Sequence, residues 1–231
     1  MPESTELTAL QKFDTPTICN AIEVIVPERR SEGFTTKPFI CHDSALPPMV
    51  GYARTAKIIA TKPSGRTKAD DLATRIGYFR HIAEPPAPTV TVIEDIDDQV
   101  GFGAHWGEVN SNLHKGLGSV GVVTNGSIRD VGMWAEGFGA IAGSLSPSHG
   151  WVHVVEYATP VEVHGMAVVP GDIVHADCHG AVVIPSAAVS AIRETVERLE
   201  RAESRLIGPA KQPGFDIEEL ITILDPEGRD H

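Results

Sequence analysis

The hydrophobic positions follow two rhythms along the chain. Up to about residue 136, short β-branched runs alternate with stretches of helical spacing; beyond it, short strands follow one another with only turns between them. In the first part, residues 4–13 read as a short helix, and Asp14-Thr15-Pro16 restarts a helix over Thr17–Val26. Thr15 suits the N-cap of that helix, and Pro16 suits its first helical position. Glu28–Pro48 carries turn residues and prolines and reads as loop. ARTAKIIAT (53–61) is strand-like, and residues 67–83 have a helical pattern that Pro85-Pro86 and Pro88 end. TVTVIED (89–95) is the β-branched run of a buried strand. A helix is predicted over 107–116, a buried strand over SVGVVT (119–124), then a turn at Asn125-Gly126 and a helix over 128–136 that Gly137 stops.

The second rhythm comprises WVHVVEY, PVEVH, MAVV, IVHA and AVVIP, separated by turns at Gly165, Pro170-Gly171-Asp172 and Gly180. A long amphipathic helix over Ser186–Ile207 closes the pattern, with Val189, Ile192, Val196, Leu199 and Leu206 on its apolar face. The prediction is an α/β chain of layered sheets with helices outside: one domain over 1–207 and a C-terminal amphipathic tail over 208–231. Within the tail, FDIEELITIL (215–224) either covers this subunit's core or docks on a neighbour.

Composition adds exclusions. The 231 residues are 42% hydrophobic and 22% charged, ordinary for a globular domain of this size. A net charge of −12 argues against a nucleic-acid or anionic-membrane partner, and an anionic substrate would need a local positive feature. Three scattered cysteines, Cys19, Cys41 and Cys178, make a disulfide framework improbable. With a polar, acidic N-terminus and no apolar run of spanning length, a cytoplasmic location is expected.

Candidate chemistry concentrates in FGAHWGEVNSNLHKGLGSVGVVTNGSIRDVGMW (102–134). Glu108 opens a helix after a glycine turn, leaving the N–H groups of Val109, Asn110 and Ser111 free to receive a carboxylate or phosphate. Arg129-Asp130 follows a strand, where ligands of α/β layers bind. Arginine offers a fixed, charged fork, and aspartate a ligand for a hard cation. The same residues also admit a plainer reading: Ser127-x-x-Asp130 as a capping box and Glu108 as a favourable first-turn acid.

The spacing tips this balance. Glu108, twenty residues and Arg129-Asp130 stand in a frame of W-G-E, a Gly-Val-Val strand, N-G-S-I-R-D and G-F-G, with V-E-V-H-G, V-x-P-G-D-I-V-x-A-D-x-x-G and V-V-I-P downstream. This resembles the RraA-like family, specifically its 4-hydroxy-4-methyl-2-oxoglutarate/4-carboxy-4-hydroxy-2-oxoadipate aldolase branch, from about Thr15 to Ile207. The resemblance implies a swivelling β/β/α layered domain, assembled as homotrimers or homohexamers with sites between subunits. It implies Mg²⁺ or Mn²⁺ held by Asp130 directly and through waters by Glu108, where the branch more often has Asp. A further acid would come from a neighbouring subunit's closing helix, Glu203 being the best match and Glu200 close beside it. Arg129 would bind the 2-oxo oxygen, and the Val109, Asn110 and Ser111 amides the 1-carboxylate. The implied activity is a metal-dependent pyruvate aldolase acting on a 4-hydroxy-2-oxo acid, with oxaloacetate decarboxylation as a side activity. None of Lys57, Lys62, Lys68 and Lys115 sits in a Schiff-base context.

The alternative is a non-enzymatic RraA-type regulator that binds a ribonuclease complex; regulator members lack part of the acidic set present here, which favours the enzyme. A methyltransferase is discounted, because Gly101-x-Gly103 lacks the rest of a nucleotide fingerprint. The stretch before the motif, A-E-P-P-A-P-T-V-T-V-I-E-D-I-D-D-Q, and the loop S-L-S-P-S-H-G-W-V-H with His149 and His153 depart from the aldolase pattern, which bears on the leaving carbonyl product. His175-x-x-Cys178-His179 matches no common zinc site and reads as a polar turn. His105 and Trp106 line a pocket or pack a turn. Glu94-Asp95-x-Asp97-Asp98 reads as a solvated strand end before a metal site, with Asp95 the member to test first.

Overall fold

The computed structural model describes residues 2–225. In chain order the elements are α1 (Ser4–Leu10), α2 (Thr15–Ile25), β1 (Ile40–Cys41), β2 (Met49–Ile59), α3 (Lys68–Ile82), β3 (Thr89–Asp95), β4 (Ala104–Trp106), α4 (Glu108–Gly116), β5 (Ser119–Ile128) and β6 (Gly139–Leu145). There follow β7 (His153–Tyr157), β8 (Val161–Val163), β9 (Met166–Val168), β10 (Ile173–Asp177), β11 (Gly180–Ile184), α5 (Val189–Ala210) and α6 (Ile217–Leu224). Nine strands form one mixed sheet in the order β1-β6-β5-β3-β2-β10-β11, with β4 paired to β5 and β7 to β2. The neighbours from β6 to β2 are parallel, whereas β10, β11 and β7 join antiparallel. The two halves of the sequence therefore share a single sheet, with β2 as the seam.

The side-chain alternation of β2 displays the layers. Met49 and Ala53 face the β8–β9 hairpin, in a core with Val161, Val163, Met166 and Val168. Val50 and Tyr52 face the opposite way, toward Leu7, Ile18, Ile22, Ile192 and Val196 of α1, α2 and α5. Ala56 and Ile58 continue that face under Tyr78 and Ile82 of α3, with Trp106 and Phe138. A hairpin, a main sheet and a helical layer make this the β/β/α arrangement of mixed α/β class that the sequence implies. β3, buried along both faces, explains the unbroken TVTVIED run.

Four local expectations are corrected. Asp14, not Thr15, caps α2: its Oδ1 accepts from the Thr17 N–H at 2.8 Å, and Pro16 falls at the second helical position. The segment read as loop contains a 3-10 turn, Pro27–Ser31, and the short strand β1. The chain does not turn into a helix after Asn125-Gly126. These residues form an irregularity inside β5, which runs on to Ile128 against β4 and β6. Asn125 occupies the gap, with its Oδ1 accepting from the Asp95 N–H and its Nδ2 donating to the Asp95 carbonyl. The predicted helix over 128–136 is turns, because Asp130 (φ 54) and Gly132 (φ 89) adopt left-handed backbone. Ser127 is accordingly a buried strand residue and caps nothing.

α5 buries Val189, Ile192, Thr195 and Val196, and none of its residues beyond Val196 is buried. α6 buries none; Ile217, Ile221 and Leu224 are exposed, so they do not cover the chain's own core. Residues 226–231 of the predicted tail lie outside the described part. No helix among the described residues is long and apolar enough to cross a membrane.

Candidate active site

The site begins with two chain segments tied side by side. β4 pairs with the end of β5, and the Arg129 N–H donates to the Trp106 carbonyl at 2.9 Å. That bond sets Gly107, the N-cap of α4, directly against Asp130. A Cβ on Gly107 would lie 2.4 Å from Asp130 Oδ2 and 3.1 Å from Arg129 Cγ, so any larger residue would displace the Asp130 carboxylate. Asp130 holds left-handed backbone, a conformation that aspartate tolerates better than most residues and that recurs at functional sites. Trp134 fixes the turn from beyond, donating its indole N–H to the Arg129 carbonyl at 2.7 Å.

Asp130 Oδ2 accepts from the Glu108 N–H at 3.2 Å and stands 3.4 Å from Arg129 Nε. One first-turn donor of α4 is thus engaged by Asp130. A second expected donor is engaged too: the Ser111 N–H donates to the Gly107 carbonyl at 3.0 Å, closing the first helical turn. The Ser111 hydroxyl donates to the Glu108 carbonyl and accepts from the Ala135 N–H, so Ser111 is a structural residue. The Val109 and Asn110 N–H groups remain without a protein partner among the described residues, and both residues line the cavity beside them. Asp130 Oδ1 is likewise unpartnered, and Glu108 is exposed. The free oxygen of Asp130 suits a hard divalent cation, which typically takes one or two carboxylates and keeps several waters. Glu108 approaches Asp130 through its backbone N–H and does not itself line the cavity.

The cavity, about 540 Å³, is lined by Arg129, Asp130, Gly107, Val109 and Asn110 on one side. Asp71, Thr74, Arg75 and Tyr78 of α3, with Arg66, His149 and His153, also line it. The α3 residues carry no motif in the sequence, and only their spacing, 71, 74, 75 and 78, places them on one helical face. Arg66 is committed to the backbone, donating to the Val154 and Val155 carbonyls at 2.8 and 3.0 Å. Arg75 is exposed, with its guanidinium 5.9 Å above the Phe79 ring.

A buried pair braces α4 against α3. His114 is pushed down to about 4, chiefly by burial, and is neutral near pH 7. The Asn110 carbonyl can only accept, so His114 Nδ1 carries the proton that it receives at 2.7 Å. Nε2 is then the acceptor for the Tyr78 hydroxyl, 2.6 Å away. His105 also lines the cavity; burial, then its neighbours His114 and Arg75, push it down to about 3. Trp106 is fully buried and packs the core beneath.

Other singled-out residues fall elsewhere. Asp95 and Asp97 are buried, not a solvated strand end. Asp95 accepts from the Gly101 and Asp97 N–H groups, and Asp97 from those of Ala60 and Thr61. Burial raises the Asp95 carboxyl above its ordinary range. Glu200 and Glu203 are exposed on α5, which packs against α1 and α2, and neither lines the cavity of its own chain.

The RraA-like family model, described as Aldolase/RraA, matches residues 15–183. The chain belongs to the RraA-like family. An uncharacterized protein of Methanocaldococcus jannaschii is 33% identical to this RraA-like chain over 122 residues, 52% of the chain. The match spans 58% of that relative's length. Among solved structures, an uncharacterized protein from Pseudomonas syringae pv. tomato superposes with a TM-score of 0.69 at 17% identity, over 96% of this chain and 95% of its own. Streptomyces coelicolor RraAS2, described as an unusual member of the RNase ES inhibitor RraA protein family, superposes at 0.63 with 23% identity, over 88% and 96%. At these identities the two structures establish the shared RraA-like fold.

Proposed function

We propose that this RraA-like protein is a divalent-metal-dependent lyase that cleaves a 4-hydroxy-2-oxo acid to pyruvate and a carbonyl product. Oxaloacetate, which places the same electron pair next to a 2-oxo group, is the companion substrate for decarboxylation. The observation that carries the reading is the meeting of Arg129, Asp130 and the open first turn of α4 on one cavity. Asp130, with Glu108 beside it, would hold Mg²⁺ or Mn²⁺, completed by Glu203 or Glu200 of a neighbouring subunit in a homotrimer or homohexamer. Bound there, the ion supplies Lewis-acid polarisation of the 2-oxo group.

The chain's own groups account for the rest. The Val109 and Asn110 N–H groups, at the positive end of α4, receive the substrate's 1-carboxylate. Ser111 leaves the anion-binding set, since its N–H is engaged. Arg129 donates to the 2-oxo oxygen. As the 4-hydroxyl proton passes to water and the C3–C4 bond breaks, C4 becomes the carbonyl product and the electron pair moves onto the 2-oxo oxygen, where a fixed guanidinium needs no reorganisation to meet it. A proton returned from water to C3 then gives pyruvate.

The test is pyruvate release from 4-hydroxy-2-oxo acids and oxaloacetate, with Mg²⁺ or Mn²⁺ and with chelator. Wild type turns over only with metal. Asp130→Ala loses the metal dependence, and Arg129→Ala raises the barrier by about 3 kcal/mol, the size of a lost oxyanion donor. A protein indifferent to divalent metals that binds an RNA-degrading enzyme tightly is instead a regulator.

A further inference from the structure

A second cavity, of about 310 Å³, opens at the other end of the sheet. It is bordered by Met49 and Gly139, where β2 and β6 begin, whereas the candidate active site follows the last residue of the parallel strand β5. Cys41, Asp177, Cys178 and His179 all line it. The side chains of Asp177, Cys178 and His179 each turn a ligand atom to the same point, all within 4.8 Å of one another.

The distances suit a tetrahedral ion. His179 Nδ1 lies 3.7 Å from Cys178 Sγ and 3.1 Å from Asp177 Oδ1. With Zn–S near 2.3 Å and Zn–N and Zn–O near 2.1 Å, a tetrahedral shell has S···N and N···O edges of about 3.6 and about 3.4 Å. The two edges that meet at His179 Nδ1 therefore match that figure to within a few tenths of an ångström, and the three ligand atoms all lie within 4.8 Å of one another. The backbone holds the carboxylate in place, since Asp177 Oδ2 accepts from the Thr15 N–H and Oδ1 from the His179 N–H, both at 2.8 Å. Cys41, at the end of β1, lines the same cavity and offers a second thiol to it. Asp14 and Asp43 on the same lining outnumber Lys12, so the local charge favours a cation. His175, which the sequence grouped with Cys178 and His179, is not a member. It is buried, with Nδ1 3.0 Å from the Thr15 hydroxyl and Nε2 3.4 Å from the Leu10 carbonyl.

We propose that Asp177, Cys178 and His179, with Cys41 as fourth ligand, form a binding site for a zinc-class divalent cation, separate from the candidate active site. The ion would tie β1 to the β10–β11 turn. Soft thiolate donors select zinc over magnesium, which keeps the two sites chemically distinct.

The experiment titrates the reduced, metal-stripped full chain with Co²⁺, whose thiolate-to-metal absorption in the near ultraviolet reports sulfur ligation, and then displaces it with Zn²⁺. Expected are one thiolate-ligated Co²⁺ per chain in wild type and in Asp130→Ala, loss of the band in Cys178→Ser, and at least tenfold weaker binding in Cys41→Ser. Cys178 is exposed, so its serine variant folds as wild type by circular dichroism. Absence of the band in reduced wild type, or an unchanged band in Cys178→Ser, overturns the site. Unchanged affinity in Cys41→Ser overturns the fourth ligand. Because Asp130→Ala retains this site, its result is independent of the lyase assay.

Discussion

His114 offers a quantitative test of how the candidate site is braced. Its imidazole is buried, accepts from the Tyr78 hydroxyl and donates to the Asn110 carbonyl, and burial sets its folded value at about 4. In the unfolded chain the same ring titrates near its ordinary 6.5. Between those values the unfolded state binds a proton that the folded state refuses. Stability from the neutral ring is thus fully present above pH 6.5 and falls as pH drops toward 4. From pH 7 to pH 5 the loss from this one group is about 2 kcal/mol. Gln at this position can donate to the Asn110 carbonyl and accept from Tyr78 without titrating. Urea unfolding at pH 7 and pH 5 should therefore show His114→Gln losing about 2 kcal/mol less than wild type over the interval. His105, pushed down to about 3, leaves a residual acid slope in both proteins. An identical pH slope in the two would show that His114 is not buried neutral, and the account of how α4 is held against α3 would fail.

Two further outcomes follow from single contacts. Gly107→Ala places a methyl group 2.4 Å from Asp130 Oδ2; the expected result is about a hundredfold loss in kcat/KM for metal-dependent pyruvate release, with a thermal destabilisation of about 1–3 kcal/mol. Asp14→Ala removes the side-chain cap of α2 and should cost about 1 kcal/mol in urea unfolding while leaving pyruvate turnover unchanged.

Much of the architecture was legible because local and tertiary signals agree. TVTVIED is β-branched and buried on both faces, and its limits in the fold are those in the sequence. The helix after Gly107 announced itself through Glu108 and its polar turn. β6 was invisible for a physical reason: its β-branched signal is a single Ile141 among small residues, with Gly139 pressed by Met49 and Gly143 by the Asn125 carbonyl. The predicted 128–136 helix failed because residue types do not reveal that Asp130 is left-handed. In the candidate site, motif spacing pointed to Glu108 and Arg129-Asp130; the parallel bridge between β4 and β5, which sets the Glu108 amide beside Asp130, has no sequence signature. The α3 wall was missed because its cavity face, Asp71 to Tyr78, reads as an ordinary polar helix side.

The bond from the Arg129 amide to the Trp106 carbonyl, continued by that from the Glu108 amide to the Asp130 carboxylate, laces both halves of the site into one fluctuating unit. Neither loop can open alone without exposing the other. Their amide protons should therefore exchange with solvent in a common event, and a substitution that loosens one strand end will surface as faster exchange at both.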